Sequence, residues 1–252
     1  MIRSLRCLLP IVTVLAALPA TLIAQDREPA PSILSDRPGL GDGAHVLAPG
    51  VWQVELGGQY LGGGDDRFSL GQGLLRGGLG PFELRVYGNS LVIEQNPGSS
   101  EFGFEDLGVG IKVPMGEPGG WKWAALGLVT LPTGDDDYSA REVTGGGSVL
   151  GETSLSGSVS LALNAGYFFP FNDVGDGSFA VILTPAFAIP GAPEWSGYAG
   201  VASYLGHGDD SNFTEAGLAY ARDADTQFDL NWGIDTDSRE WFLGVGWARR
   251  WR

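Results

Sequence analysis

The residues able to do chemistry in this chain are few and scattered. There are two histidines, His45 and His207. A histidine beside a serine is the minimum for acyl hydrolysis, and some membrane barrels carry such a pair on their outer wall. His45 lies in an aperiodic stretch near the N-terminus and His207 in the loop "LGHGDDSN", so neither shares a strand with a positioned serine. A membrane-embedded acyl hydrolase is therefore the least favoured reading, and no catalytic residue is assigned. Three consecutive carboxylates, Asp135 to Asp137 in "GDDDY", offer hard oxygen ligands. They lack the spacing of a calcium loop and read as a hydrated surface loop. No phosphate-cradling glycine motif, nucleophile motif or metal spacing occurs, so no cofactor and no metal are expected. The remaining candidates are polar residues that interrupt apolar strands: Gln53, Glu55, Glu83, Arg85, Asn89, Asp106, Lys112, Glu215, Arg222, Asp229 and Asn231.

What positions those residues is a repeated period of two. In "FDLNWGIDTD", Phe228, Leu230, Trp232 and Ile234 alternate with Asp229, Asn231, Gly233 and Asp235. In an extended chain the two sets point to opposite faces. The same alternation runs through Trp52, Val54 and Leu56, through Leu107, Val109, Ile111 and Val113, and through Trp241, Leu243, Val245 and Trp247. Strands are predicted near 51–60, 67–78, 81–93, 104–114, 121–132, 143–151, 154–169, 177–189, 193–204, 212–222, 226–235 and 240–251. No segment shows a helical period.

The breaks sort into two kinds. "GP" at 80–81, "MGEPGG", "GET" at 151–153, "PGA" and "DAD" are mostly tight, whereas "LGGGDDR", "VIEQNPGSSEFG", "LPTGDDDYSAREV", "FNDVGDG", "LGHGDDSN" and "DTDSRE" are mostly longer and acidic. Short turns at one end and longer loops at the other are the signature of a membrane β-barrel. The fold class predicted is thus all-β, a transmembrane antiparallel up-and-down barrel of about twelve strands. Charged side chains cannot face lipid cheaply, so the polar set should line the lumen, as a pathway or as a network of paired charges that fills a narrow bore. Aromatic residues near strand ends (Trp52, Tyr60, Trp121, Trp123, Phe168, Phe169, Trp195, Tyr204, Trp241 and Trp251) suit interfacial girdles.

The N-terminus divides the chain further. Arg3 and Arg6 precede an apolar run, Leu8 to Ile23, with Ala24 before Gln25, which is the pattern of a cleaved secretory signal. Residues 1–24 are read as that signal, 25–50 as an extended periplasmic lead-in and 51–252 as the barrel. The only cysteine, Cys7, falls within the signal, which excludes disulfides from the exported chain. A net charge of −15 argues against nucleic-acid binding.

Several stretches taken in order resemble a known family. "SDRPG" at 35–39, "APGVWQVELGGQY" at 48–60, "FEDLGVGIKVP" at 104–114, "LGLVTLPTGD" at 126–135, "LNAGY" at 163–167, "FDLNWGIDTD" and "WFLGVGWARRW" at 241–251 follow the order found in outer-membrane proteins named for a MetA pathway of phenol degradation. Glu105 stands where that family usually has a small residue, and Arg252 follows the aromatic Trp251. The resemblance implies a bacterial outer-membrane barrel, and uptake of aromatic or other hydrophobic compounds; it supplies no catalytic residues. The function expected is passive passage of small-molecule solutes. The expected partners are outer-membrane lipid, lipopolysaccharide and the outer-membrane assembly machinery. The main alternative is a structural or surface-interaction barrel with a sealed lumen.

Overall fold

The computed structural model describes residues 32–252 apart from 38, 65, 89, 97, 174, 175 and 207–209. The expected signal sequence lies outside the described residues. The strands are β1 (Trp52–Gly62), β2 (Asp66–Gly78), β3 (Glu83–Tyr87), β4 (Leu91–Asn96), β5 (Ser99–Phe104), β6 (Leu107–Gly116), β7 (Trp121–Leu131), β8 (Thr144–Ser156), β9 (Val159–Pro170), β10 (Ser178–Ile189), β11 (Ala192–Leu205), β12 (Ser211–Asp223), β13 (Thr226–Asp235) and β14 (Trp241–Trp251). One 3-10 turn, Pro118–Gly120, precedes β7.

These fourteen segments make twelve staves. β3 and β4 both pair with β2, one after the other, and on their far side β4 pairs with β5 and β3 with β6. Each pair is one stave with a short break. Successive neighbours run antiparallel, and β1 pairs with both β2 and β14, so the sheet closes into an up-and-down barrel. Closure leaves no free edge, which a wall lying in lipid requires.

Register fixes what each face presents. Across the wall Leu218 opposes Leu230, which opposes Val245, and all three point outward and are exposed. One residue along, Ala219 opposes Asp229, which opposes Gly246, which opposes Gly57; this row points inward. The outer face is an apolar surface that includes Leu56, Val109, Ile111, Leu183 and Leu243. The inner face holds charged side chains with no exposure at all. This is a water-soluble protein turned inside out.

The connections are sorted by end. One rim carries the turns after β2, β6, β8, β10 and β12, of two to four residues; the other carries the longer loops after β7, β9, β11 and β13. Two boundaries and the facing of one aromatic residue differ from the sequence expectation. "VIEQNPGSSEFG" is a hairpin of β4 and β5, because Leu91 to Asn96 pair residue for residue with Ser99 to Phe104. "GET" lies within β8, whose turn comes at Gly157 and Ser158. The small hydroxyl residues after it continue the alternation instead of breaking it. Tyr204 is not part of an outer girdle: it faces inward, its ring 6.1 Å from Phe213, which in turn lies 6.4 Å from Phe242. Tyr60 with Trp241, Trp121 with Trp123, and Trp195 with Tyr220 do pair at the two rims.

Candidate functional site: a chain segment inside the barrel

The described residues between 32 and 49 form neither helix nor strand. Ser32 to Leu47 run inside the wall. This inner strap leaves the start of β1 at the short-turn rim, where the Leu47 N–H donates to Glu83 Oε2 (2.9 Å). It rises to Leu40, whose N–H reaches Glu215 (3.1 Å), and returns to the Leu34 carbonyl, which accepts from Gln53 Nε2 (3.0 Å).

The strap is held on one side by charge. Register places Arg76 directly opposite Arg85, and Glu83 opposite Lys112. Like charges facing each other across a ladder repel, and here all are buried. The wall supplies two carboxylates against these three cations: Glu55 touches Arg76 (3.0 Å), and Glu83 touches both Arg76 (2.8 Å) and Arg85 (3.2 Å). The strap adds two more. Asp36 Oδ2 lies 2.5 Å from Arg85, 2.8 Å from Lys112 and 3.3 Å from Arg76, and Asp42 lies 2.8 Å from Arg85. A buried charge is tolerated only when it is paired and hydrogen-bonded. The strap completes that pairing. Burial alone would raise the Asp36 carboxyl, but Arg76, Lys112 and Arg85 together hold it well below the usual carboxylate range.

His45 belongs to the same cluster. Its Nε2 lies 3.1 Å from Arg76 Nη2 and 2.8 Å from the Leu34 carbonyl. A carbonyl can only accept and a guanidinium can only donate, so Nε2 cannot bond both at once: with its proton on Nε2 the ring donates to Leu34, and with its proton on Nδ1 it accepts from Arg76. Burial, and then the Arg76 charge, push the imidazole down to about 3. His45 is thus a strap fastening, with no serine nucleophile among these contacts.

A second seat holds Arg37. Gly57 and Gly246 are adjacent on β1 and β14, flanked by Gln72 and Asp229 in the same row. A Cβ on either glycine would overlap the Arg37 side chain. The guanidinium lies on this bare floor, donates to Gln72 Oε1 (3.2 Å) and stands 3.8 Å from Asp229. On the opposite wall the strap makes lighter contacts: the Asp42 N–H donates to Asn164 Oδ1 (2.6 Å), and Asn164 Nδ2 returns a bond to the Asp42 carbonyl (2.9 Å).

Of the candidates read from sequence, Gln53, Glu55, Glu83, Arg85, Lys112, Glu215, Asp229 and Asn231 are buried and face inward. Two lie elsewhere. Asp106 sits in the break between β5 and β6, where it accepts the Gly134 and Ala140 N–H groups and braces the loop after β7. Arg222 is exposed at the short-turn end of β12; it shares the outward parity of Leu218 and Tyr220. Asn89 and His207 lie outside the described residues. Arg76, Asn164 and the strap's Asp36, Arg37 and Asp42 were not among the candidates. Among the described residues no group of three or more His, Cys, Asp or Glu side chains could hold a metal ion.

A closed barrel with an apolar exterior and a charged, occupied interior defines an outer-membrane type of protein. The chain belongs to the family described as "Putative MetA-pathway of phenol degradation", whose model matches residues 35–251. It is similar in fold to the COG4313 outer membrane channel from Pseudomonas putida F1 (13% identity, 82% of this chain and 98% of that one, TM-score 0.65). It is likewise similar to the KdgM porin (10%, 79% and 99%, 0.57) and the NanC porin (11%, 78% and 98%, 0.55). No curated protein sequence matches it.

Proposed function

We propose that the protein is a passive channel of the bacterial outer membrane for small molecules, with its short turns in the periplasm and its acidic loops outside. The observation that carries this reading is the inversion of polarity: exposed Leu, Val and Phe cover the outer wall, while buried ions line the inner one. Family membership and the similarity to porins support it. Selectivity comes from the lumen and the loops, without cofactor or energy coupling. The inward Tyr204, Phe213 and Phe242 support aromatic or other apolar compounds as the solutes, since π faces and edges at a mouth favour such ligands. Residues 1–24 serve as the export signal, insertion is by the outer-membrane assembly machinery, and lipopolysaccharide surrounds the outer rim.

One observation favours a sealed structural barrel instead: the strap bridges opposite walls through Asp36 on one side and through Asn164 and Glu215 on the other. Osmotic swelling and conductance of proteoliposomes containing the purified protein separate the two. Solute passage above that of protein-free vesicles supports the channel, and a barrel that passes nothing removes it.

A further inference from the structure

The lumen is electrostatically lopsided. Every fully buried ion named above (Arg76, Arg85, Lys112, Glu55 and Glu83) lies on β1, β2, β3 and β6. There the strap is packed tight. Against the opposite wall it leaves a cavity of about 430 Å³, within the range of small-molecule sites. That wall, from β8 to β12, lines the cavity with Ser154, Ser160, Ala162, Thr184, Ala186 and Ser196. Hydroxyls and methyls alternate, and neither carries charge. Hydroxyls both donate and accept hydrogen bonds, so they can replace the hydration of a solute's own hydroxyl groups. They cannot replace the shell of an ion, which is far costlier to strip. The charges that do line the cavity are the carboxylates Asp36, Asp42 and, on β8, Glu152, against one cation, Arg37, and this excess of carboxylate disfavours an anion.

At the outer end of this cavity the strap's described hydrogen bonds to the wall are neutral-donor contacts, those of Asn164 with Asp42 and of the Leu40 N–H with Glu215. The other side of the strap is held by buried ion pairs at 2.5–3.3 Å. If the strap shifts, it does so on the hydroxyl side first. We propose that solutes cross between the strap and the β8–β12 wall, and that this path takes small uncharged molecules that bear hydroxyls, aromatic ones included, in preference to anions. The inference rests on the channel reading.

Arabinose and sodium glucuronate are suitable probes, being sugar-derived and too polar to cross lipid unaided. Proteoliposomes should swell at least tenfold faster in arabinose. In a Cys7→Ser background, Ala162→Cys places one thiol in the path after folding. Benzyl methanethiosulfonate should then cut arabinose swelling at least tenfold, and dithiothreitol should restore it. Full arabinose flux through the labelled protein would overturn the route while leaving the channel intact. Equal rates for the two solutes would overturn the selectivity. No swelling with either solute before labelling, with ion conductance retained, would overturn this path alone; no swelling and no conductance would remove the channel reading itself, and this inference with it.

Discussion

Replacing Asp36 by alanine removes the one carboxylate oxygen that touches three buried cations. The loss is uneven. Arg76 keeps Glu55 and Glu83, and Arg85 keeps Glu83 and Asp42. Lys112, whose side chain has no exposure, keeps only the Gly43 carbonyl among its described contacts. Removing one partner of a buried pair costs about 3–5 kcal/mol. Because two of the three cations retain partners, the lower end applies, or about a hundredfold in the ratio of undocked to docked strap. Ala44 reports that ratio: it is 2% exposed, packed from the strap against Ala124, Leu126 and Leu150 of the wall. With Ala44→Cys in a Cys7→Ser background, a membrane-impermeant thiol reagent should react about a hundred times faster once Asp36→Ala is added. Adding Lys112→Met, which removes the orphaned ammonium, should bring the rate most of the way back. An unchanged rate in Asp36→Ala, or no recovery in the double variant, would refute the view that charge pairing docks the strap.

Three further outcomes are expected. Gly57→Val puts side-chain atoms where the Arg37 guanidinium lies. Losing that charged hydrogen bond should cost ~1.5–3 kcal/mol of strap docking, read by the same labelling rate, whereas Gly58→Val on the outer face should leave the rate unchanged. Acid should loosen the strap. His45 is pushed down to about 3 when docked, against ~6.5 when free, so docking binds fewer protons than release does. Its contribution is complete above ~6.5 and is lost as pH falls toward 3; labelling of Ala44→Cys, corrected with a free thiol at each pH, should accelerate across that window. Leu230→Arg on the lipid face should cost the folded barrel ~2–4 kcal/mol if it lies near the bilayer midplane, measured by urea titration of the heat-modifiable gel shift in lipid vesicles.

The wall was legible because a period of two ties each residue to a face. Once Leu218, Leu230 and Val245 are outward, Asp229 and Glu215 must be inward. Where that parity slips, reading fails. Arg76 was missed because Gly71, at φ +77°, is a bulge in β2: Ser69 and Gln72 both face inward although three positions apart. Arg222 was misplaced by counting from the wrong face of β12. The strap was silent for a different cause. It has no period, and its contacts join residues 49, 76 and 175 positions apart. Its carboxylates acquire meaning only when closure brings Arg85, Lys112 and Glu215 into one bore.

The two ends of the strap lie at the same rim. Leu47 is tied to Glu83 and Leu34 to Gln53, both beside the short turns, and the chain between them only visits the depth of the bore. Topologically it is a key in a lock, not a thread through a needle. A closed ring of twelve staves and an occupant of its bore are therefore compatible in one polypeptide, and among the described residues every strap-to-wall hydrogen bond uses a side chain, with no backbone ladder between them.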